Sequence, residues 1–368
     1  MKKNKIFIKT KSKPYPVYFG HGILKSTGQL IKKNLPNVKK VFIICDKKLP
    51  SFLLDDLKKT LKKYDIKVFK LANGEKIKNF KVAHTLIEDC LKNNLNRSDC
   101  IIALGGGVVG DLSAFVSSLI KRGVKFVNIP TTLLSQVDAS IGGKTAINSN
   151  HGKNLIGTFY QPDFVITDIS VLNSLPKREM MCGYGEILKY SLILDRKFFL
   201  WLIKNGKQII NNKNKKILEH AVFKSCKIKS YIVGKDEYEN NIRKILNFGH
   251  TFAHGYEGAK GFSNKLNHGE AVLLGMMTAI KLAYKKKLIN LKEVSLIKKH
   301  YLNLSLPMQI RKFFKKKEIN KIVSFMKKDK KNFDEKISLV LVSKIGKTLN
   351  IKFSGNYIKN FLYTIYNK

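Results

Sequence analysis

The chain has 368 residues, with 70 Lys and Arg against 26 Asp and Glu, a formal net charge of +44. Apolar residues make up 44% and aromatics 10%, enough to bury a core in one large or two ordinary domains, which excludes a disordered polyelectrolyte. Only six basic residues are Arg (Arg97, Arg122, Arg178, Arg196, Arg243 and Arg311), leaving 64 Lys. Nucleic-acid surfaces favour the bidentate fork of Arg, so the excess reads as a Lys-biased surface, with polyanion attraction as the alternative. No nucleic-acid partner is expected. Five cysteines with no CxxC pair point to free thiols in a reducing cytoplasm. The basic N-terminus lacks the apolar stretch of a signal peptide. The most apolar region, Cys100 to Ile120, is broken by four glycines and Asp111, so no membrane span is expected.

In chain order, the first half alternates short β-branched runs with helical patterns. Residues 41–45, 66–71, 100–104, 126–129 and 164–167 read as buried strands, and 51–63, 79–94 and 110–121 as helices. Strands separated by helices predict βαβ units and a parallel sheet. After Pro176 the pattern turns helical over 179–194, 197–210, 215–233, 243–259, 269–286 and 291–301, with a late strand at 337–342. The Lys-rich stretch 312–331 is the one compositionally biased segment. The expected architecture is an α/β Rossmann-like domain over 1–176, followed by a mostly α-helical domain over 177–368.

Leu104-Gly-Gly-Gly-Val-Val-Gly-Asp111 follows a predicted strand and opens a predicted helix, and glycines 105, 107 and 110 satisfy G-x-G-x-x-G. Glycine lets the backbone approach a pyrophosphate whose charge the helix N-terminus stabilises; a structural glycine turn is the alternative. No acidic residue ends a strand about twenty residues downstream, as the dinucleotide fingerprint expects. Asp46, after the 41–45 strand, is the candidate for a ribose hydroxyl, or else an ordinary turn residue. Thr131 and Thr132 end a strand where parallel sheets bind ligands. Asp138, Lys144, Lys153 and Asn154 lie on or beside glycine turns, a pattern suited to an anion pocket. In the helical half, His250 and His254 share a helical face, His268 follows within nineteen residues, and Glu186 sits in a helix poor in carboxylates. Two imidazoles and a carboxylate suit Zn²⁺ with an open position; a metal-free histidine cluster is the alternative.

An ordered set of motifs then resembles the 3-dehydroquinate synthase family, within the sugar phosphate cyclases. They are Asn73-Gly-Glu-Lys76, Gly105 to Asp111, Arg122-Gly123, Ser140-Ile-Gly-Gly-Lys-Thr145, Gly152-Lys-Asn-Leu-Ile-Gly157 and Leu175-Pro-Lys-Arg-Glu179. Gly183 to Tyr190, Arg243 to His254 and Asn267 to Val272 complete the set. The resemblance spans about residues 15 to 350. It implies a cytoplasmic homodimeric lyase using NAD and Zn²⁺ or Co²⁺, with its active site in the cleft between the domains. The implied substrate is a sugar phosphate, 3-deoxy-D-arabino-heptulosonate 7-phosphate, converted to 3-dehydroquinate and phosphate in the shikimate route. The implied course is transient oxidation, phosphate elimination, re-reduction and intramolecular aldol closure.

Carried over by motif, Glu186, His250 and His268 are the metal ligands. His254, Lys189, Lys229, Arg243 and Asn247 contact substrate, and Asp138, Lys144, Lys153 and Asn154 surround metal, cofactor and substrate. Arg122 reaches a neighbouring subunit's phosphate site, and Lys330 or Lys331 closes over the substrate phosphate. Asp46, Asn73, Gly74, Glu75, Lys76, Ile77, Lys78, Gly107, Val108, Val109, Gly110, Asp111, Thr131 and Thr132 line the NAD site with Lys144 and Lys153. Val171, Leu172, Asn173 and Ser174 are assigned there too. The resemblance thus moves His254 from metal to substrate. Three positions depart from the family pattern: Asn73, Gly185 before Glu186, and Gly255-Tyr256 after His254. A helical glycine at 185 costs about 0.5–1 kcal/mol relative to Ala. Inosose- and valiolone-forming cyclases and polyol dehydrogenases are the rival enzyme classes.

Overall fold

A computed structural model describes residues 4–72, 74–263, 265–327 and 336–367. Two compact units emerge, one of Met1–Pro176 with Asn214–Glu239, the other of Lys177–Lys213 with Asn240–Lys368. In the first, the elements run β1 (Asn4–Ile8), β2 (Tyr15–Gly20), α1 (Thr27–Asn34), β3 (Lys40–Asp46), α2 (Ser51–Thr60) and β4 (Asp65–Leu71). They continue with α3 (Phe80–Lys92), β5 (Cys100–Gly105), α4 (Gly107–Leu119), β6 (Lys125–Pro130), β7 (Lys144–Ser149), β8 (Gly152–Phe159) and β9 (Phe164–Asp168).

Seven strands form one sheet in the order β1-β2-β9-β6-β5-β3-β4, parallel except for the β1/β2 hairpin. The β-branched runs of β5 and β9 are buried throughout, as strands covered on both faces must be. Phe42, Ile44, Ile101, Ala103, Leu112, Phe115 and Phe126 centre the core between sheet and helices. After β3 the chain steps outward to β4 and then returns to β5 on the other side of β3. The order therefore reverses between β3 and β5, and the carboxyl ends there are Asp46 and Gly105. Open parallel sheets bind ligands at such a reversal.

The second unit contains α5 (Lys177–Leu194) and α6 (Arg196–Ile210). The following helix, α7 (Lys215–Lys235), departs from the sequence division, which grouped it with 177–368. It packs with the first unit, on β1 and on the turn at Ser135–Ala139. The bonds that hold it are specific: Glu237 accepts from Ser12 N at 3.1 Å and from Gln161 Nε2 at 2.8 Å. The chain then returns to the second unit through α8 (His250–Ala259), α9 (His268–Lys285), α10 (Leu291–Asn303) and α11 (Ile319–Lys327). β10 (Lys336–Lys344) and β11 (Lys347–Ser354) form a hairpin, and α12 (Gly355–Tyr366) ends the fold.

One helix expectation needs correction. The helix expected over 243–259 is broken: a 3₁₀ turn covers Ile242–Asn247, and Gly249, at φ +81°, separates it from α8. His250 is consequently the first residue of its helix. Within the Lys-rich stretch, Ile319, Ile322, Val323 and Met326 bury one face of α11, so apolar spacing decides the structure there despite the lysines.

Candidate functional site

In the first unit, Gly106 caps α4 with an extended backbone and Gly107 opens it. A Cβ on Gly105 would lie 2.7 Å from Cβ of Val109, so this turn closes tightly only without a side chain. Gly106, Gly107, Asp111, Asn128, Ser135 and Ser140 line a crevice at the helix start. A helix N-terminus such as that of α4 leaves its first backbone amides without intrahelical partners, as anion-binding helix termini do. Thr131 N donates to Gly105 O at 2.9 Å, joining adjacent strand ends, and the Thr132 hydroxyl lies 2.8 Å from Ser135 Oγ.

Lys78 is buried beside this turn. Its Nζ donates at 2.5 Å to both Asp111 Oδ2 and Asn154 Oδ1. Burial pushes the Asp111 carboxyl up, and the Lys78 ammonium opposes that shift. Asn148 of β7 donates from Nδ2 to Glu75 Oε1 at 2.8 Å, and its Oδ1 accepts from Asn154 N at 3.0 Å. The turn at Glu75–Ile77, the N-terminus of α4 and the β7/β8 hairpin are thereby stitched into one corner. The sequence treated Lys144 and Lys153–Asn154 as loop residues. They instead sit on paired strands, whose short polar stretches carry little alternation to announce them.

Other candidates are placed as follows. Asp46 Oδ1 accepts from Lys48 N at 2.8 Å, the local turn bond that was the alternative reading. Gly74 and Lys76 are exposed, while Ile77 packs against the core cluster. Val108 is half-buried. Asp138 receives Lys229 of α7, with Nζ 2.7 Å from Oδ1 and 2.5 Å from the backbone O. Lys144 pairs with Glu239. Val171 and Leu172 are buried and Asn173 and Ser174 exposed in the turn after β9, whose strand lies two places from β5. Arg122 is exposed with φ +61°. Asn73, Lys330 and Lys331 lie outside the described residues.

The second unit brings Glu186, His250 and His268 together, one potential ligand atom from each lying within 4.8 Å of the others. Glu186 is fully buried in the middle of α5. Neither carboxylate oxygen has a partner in hydrogen-bond geometry; their contacts are charge contacts, to Lys189 one turn on and to His250 Nε2 at 3.5 Å. The buried charge of Glu186 is balanced by the Lys189 ammonium, and one carboxylate with two imidazoles is a donor set that suits a borderline-hard divalent ion.

His250 turns Nδ1 toward Phe248 O at 3.3 Å, which leaves Nε2 toward Glu186. His268 turns Nδ1 toward Glu257 Oε2 at 3.2 Å. The His254 ring centroid is 6.0 Å from that of His250, and His254 is outside the three-residue cluster. Arg243 is 2% exposed and Lys189 1%; Asn247 Nδ2 donates to Lys244 O at 3.0 Å. Sequence reasoning missed Glu257, which stands three residues after His254 in a chain poor in acids. That spacing was the available signal.

Comparison with known proteins identifies the family. Residues 68–182 match the 3-dehydroquinate synthase N-terminal domain and 183–332 the C-terminal domain. The chain is 50% identical over 359 residues to the 3-dehydroquinate synthase of Pelagibacter ubique, covering 97% of each. The chain belongs to the 3-dehydroquinate synthase family. A second relative, the 3-dehydroquinate synthase of Dictyoglomus thermophilum, is 43% identical, with 92% of each chain covered. Among solved structures, 2-deoxy-scyllo-inosose synthase, complexed with carbaglucose-6-phosphate, NAD⁺ and Co²⁺, superposes with a TM-score of 0.88. At 24% identity, with 98% of this chain and 100% of that one covered, it carries the same fold as this dehydroquinate synthase relative. No helix among the described residues is long and apolar enough to cross a membrane.

Proposed function

We propose that the protein converts 3-deoxy-D-arabino-heptulosonate 7-phosphate into 3-dehydroquinate and phosphate, as a cytoplasmic homodimer on the shikimate route. The observation that carries the reading is a buried carboxylate facing two imidazoles, Glu186, His250 and His268, in a chain half identical to a dehydroquinate synthase. When bound, NAD would accept and return a hydride and the divalent metal, Zn²⁺ or Co²⁺, would polarise a substrate hydroxyl, so that phosphate leaves without net oxidation.

Glu186, His250 and His268 hold the metal. Asp46, Asn73, Glu75, Lys76, Lys78, Gly107 to Asp111, Thr131 and Thr132 form the dinucleotide site, where the α4 N-terminus offers backbone amides to the pyrophosphate. Lys144, Lys153, Asp138 and Asn154 border it. Lys189, Lys229, Arg243, Asn247 and His254 bind and orient the sugar phosphate. Arg243 brings a planar fork matched to phosphate or carboxylate, and its burial keeps that fork out of competing water. Arg122 serves the neighbouring subunit, and Lys330 or Lys331 the substrate phosphate. Fixing one flexible substrate through successive steps is chiefly an orientation task.

The test is one assay of phosphate release and dehydroquinate formation with NAD present, before and after chelation. Both products should appear in equal amounts and vanish with chelator. Net accumulation of NADH would reassign the protein to polyol oxidation, and a different cyclic product would move it to another cyclase class.

A further inference from the structure

We infer that Glu257 is a positioning residue for His268: its carboxylate accepts a hydrogen bond from Nδ1–H and so leaves the Nε2 lone pair for the metal. The inference rests on the metal reading above and deepens it by adding a residue that does not itself ligate.

Three observations carry it. His268 Nδ1 lies 3.2 Å from Glu257 Oε2, within hydrogen-bond reach. Glu257 is 5% exposed on α8, so its charge sits where desolvation is costly and a designated partner is needed. The companion ligand follows the same plan with different means, because His250 directs Nδ1 at a backbone carbonyl and Nε2 at Glu186. In a neutral imidazole, fixing the proton on one nitrogen leaves the other as the lone-pair donor. An acceptor on Nδ1 also raises ligand basicity, and such partners are worth about 10–100-fold in metal affinity.

Both histidines open a helix, but they differ in exposure: the His268 side chain is 36% exposed and that of His250 13%. A more exposed ring has fewer neighbours to hold it. The carboxylate from α8 supplies that restraint, and it ties the helix of one ligand (His250) to the ring of another.

The experiment measures Zn²⁺ affinity by chelator competition in the whole protein, together with the visible spectrum of the Co²⁺-loaded form. Glu257→Gln keeps the side-chain volume and removes the charge. It should weaken Zn²⁺ binding about tenfold and shift the Co²⁺ bands, with the melting temperature of the metal-free protein unchanged. Glu257→Ala should weaken binding about 100-fold. Native-like affinity and an unshifted Co²⁺ spectrum in Glu257→Gln would overturn the inference while leaving the metal site standing. Failure of the native protein to bind either ion would overturn both. A purely structural role would lower the metal-free melting temperature without moving the Co²⁺ bands, and that result also counts against the inference.

Discussion

Arg178 and Glu270 meet through two parallel hydrogen bonds, Nε to Oε1 at 2.8 Å and Nη2 to Oε2 at 2.7 Å. The same carboxylate accepts from Asn267 N at 3.0 Å while Asn267 Oδ1 accepts from Glu270 N at 3.0 Å, a capping box on α9. The first turn of α5 is thus bound to the first turn of α9, where His268 sits. One helix carries Glu186 and the other His268, so the clamp sets the spacing between them. Glu270→Ala removes the cap and the clamp together and should cost about 2 kcal/mol. Arg178, whose side chain is 47% exposed, should cost under about 1 kcal/mol when replaced by Ala. Urea denaturation of the two variants checks the order, and equal losses would show that the cap carries nothing beyond the ion pair.

His268→Ala should lose stoichiometric metal and turnover while the protein still folds, since a partly exposed first-turn side chain contributes little packing. Metal analysis after dialysis, beside circular dichroism, decides it. Full activity without bound zinc or cobalt would remove the cluster from the mechanism.

Much of this was legible in the sequence, for identifiable reasons. The runs at 41–45, 100–104 and 164–167 became β3, β5 and β9 because a buried parallel strand needs apolar residues throughout, and little else looks like that. The histidine cluster was visible as composition, since eight histidines in 368 residues seldom crowd by chance. Other features were hidden. β1 and β2 mix lysine, proline and aromatics, and only pairing with each other and with β9 makes them strands. The assignment of α7 to the first unit rests on long-range bonds such as Ser12 to Glu237, which no local window contains. The break before α8 was written in Gly249, yet a lone glycine in an apolar helical pattern is usually tolerated.

Two glycines show why α5, α8 and α9 cross where they do. A Cβ on Gly269 would stand 2.3 Å from Cα of Cys182 on α5, a backbone atom that cannot yield. A Cβ on Gly249 would meet Met276 N at 2.8 Å, at a φ of +81° that L-residues disfavour. Gly269→Ala and Gly249→Ala should each destabilise by about 1–3 kcal/mol and weaken metal binding as the helices part. Gly185 is milder: its Cβ would stand 3.2 Å from Leu273 Cγ. The gain in helix propensity and the crowding then oppose each other, and Gly185→Ala should fall within about 1 kcal/mol of the native chain. Thermal melts of the three variants test the ranking, and a neutral Gly269→Ala would sink it.

Arg243→Lys tests recognition of the substrate's anionic groups. The ammonium keeps the charge but not the planar fork, so KM for the sugar phosphate should rise about tenfold or more, the loss of one charge-assisted bond of about 1.5–3 kcal/mol. Steady-state kinetics on phosphate release give the answer, and unchanged constants would take Arg243 out of substrate binding.

His300 should make the protein acid-sensitive by a route separate from the metal. Its ring is 2% exposed on α10, its Nε2 lies 2.7 Å from Tyr184 Oη, and burial lowers its pKa from 6.5 to about 4. The folded state therefore holds it neutral over a range in which the unfolded chain binds a proton. Because the unfolded state carries more protons there, stability rises with pH between about 4 and 6.5 and is fully present above 6.5. Acidification through that window should remove about 3 kcal/mol on this account. His300→Gln keeps a polar partner for Tyr184 but has no proton to gain. Chemical denaturation across the window should give a shallower pH slope for the variant, since other groups that titrate there act equally on both proteins. Parallel slopes would mean that His300 is protonated in the folded state at an ordinary pH.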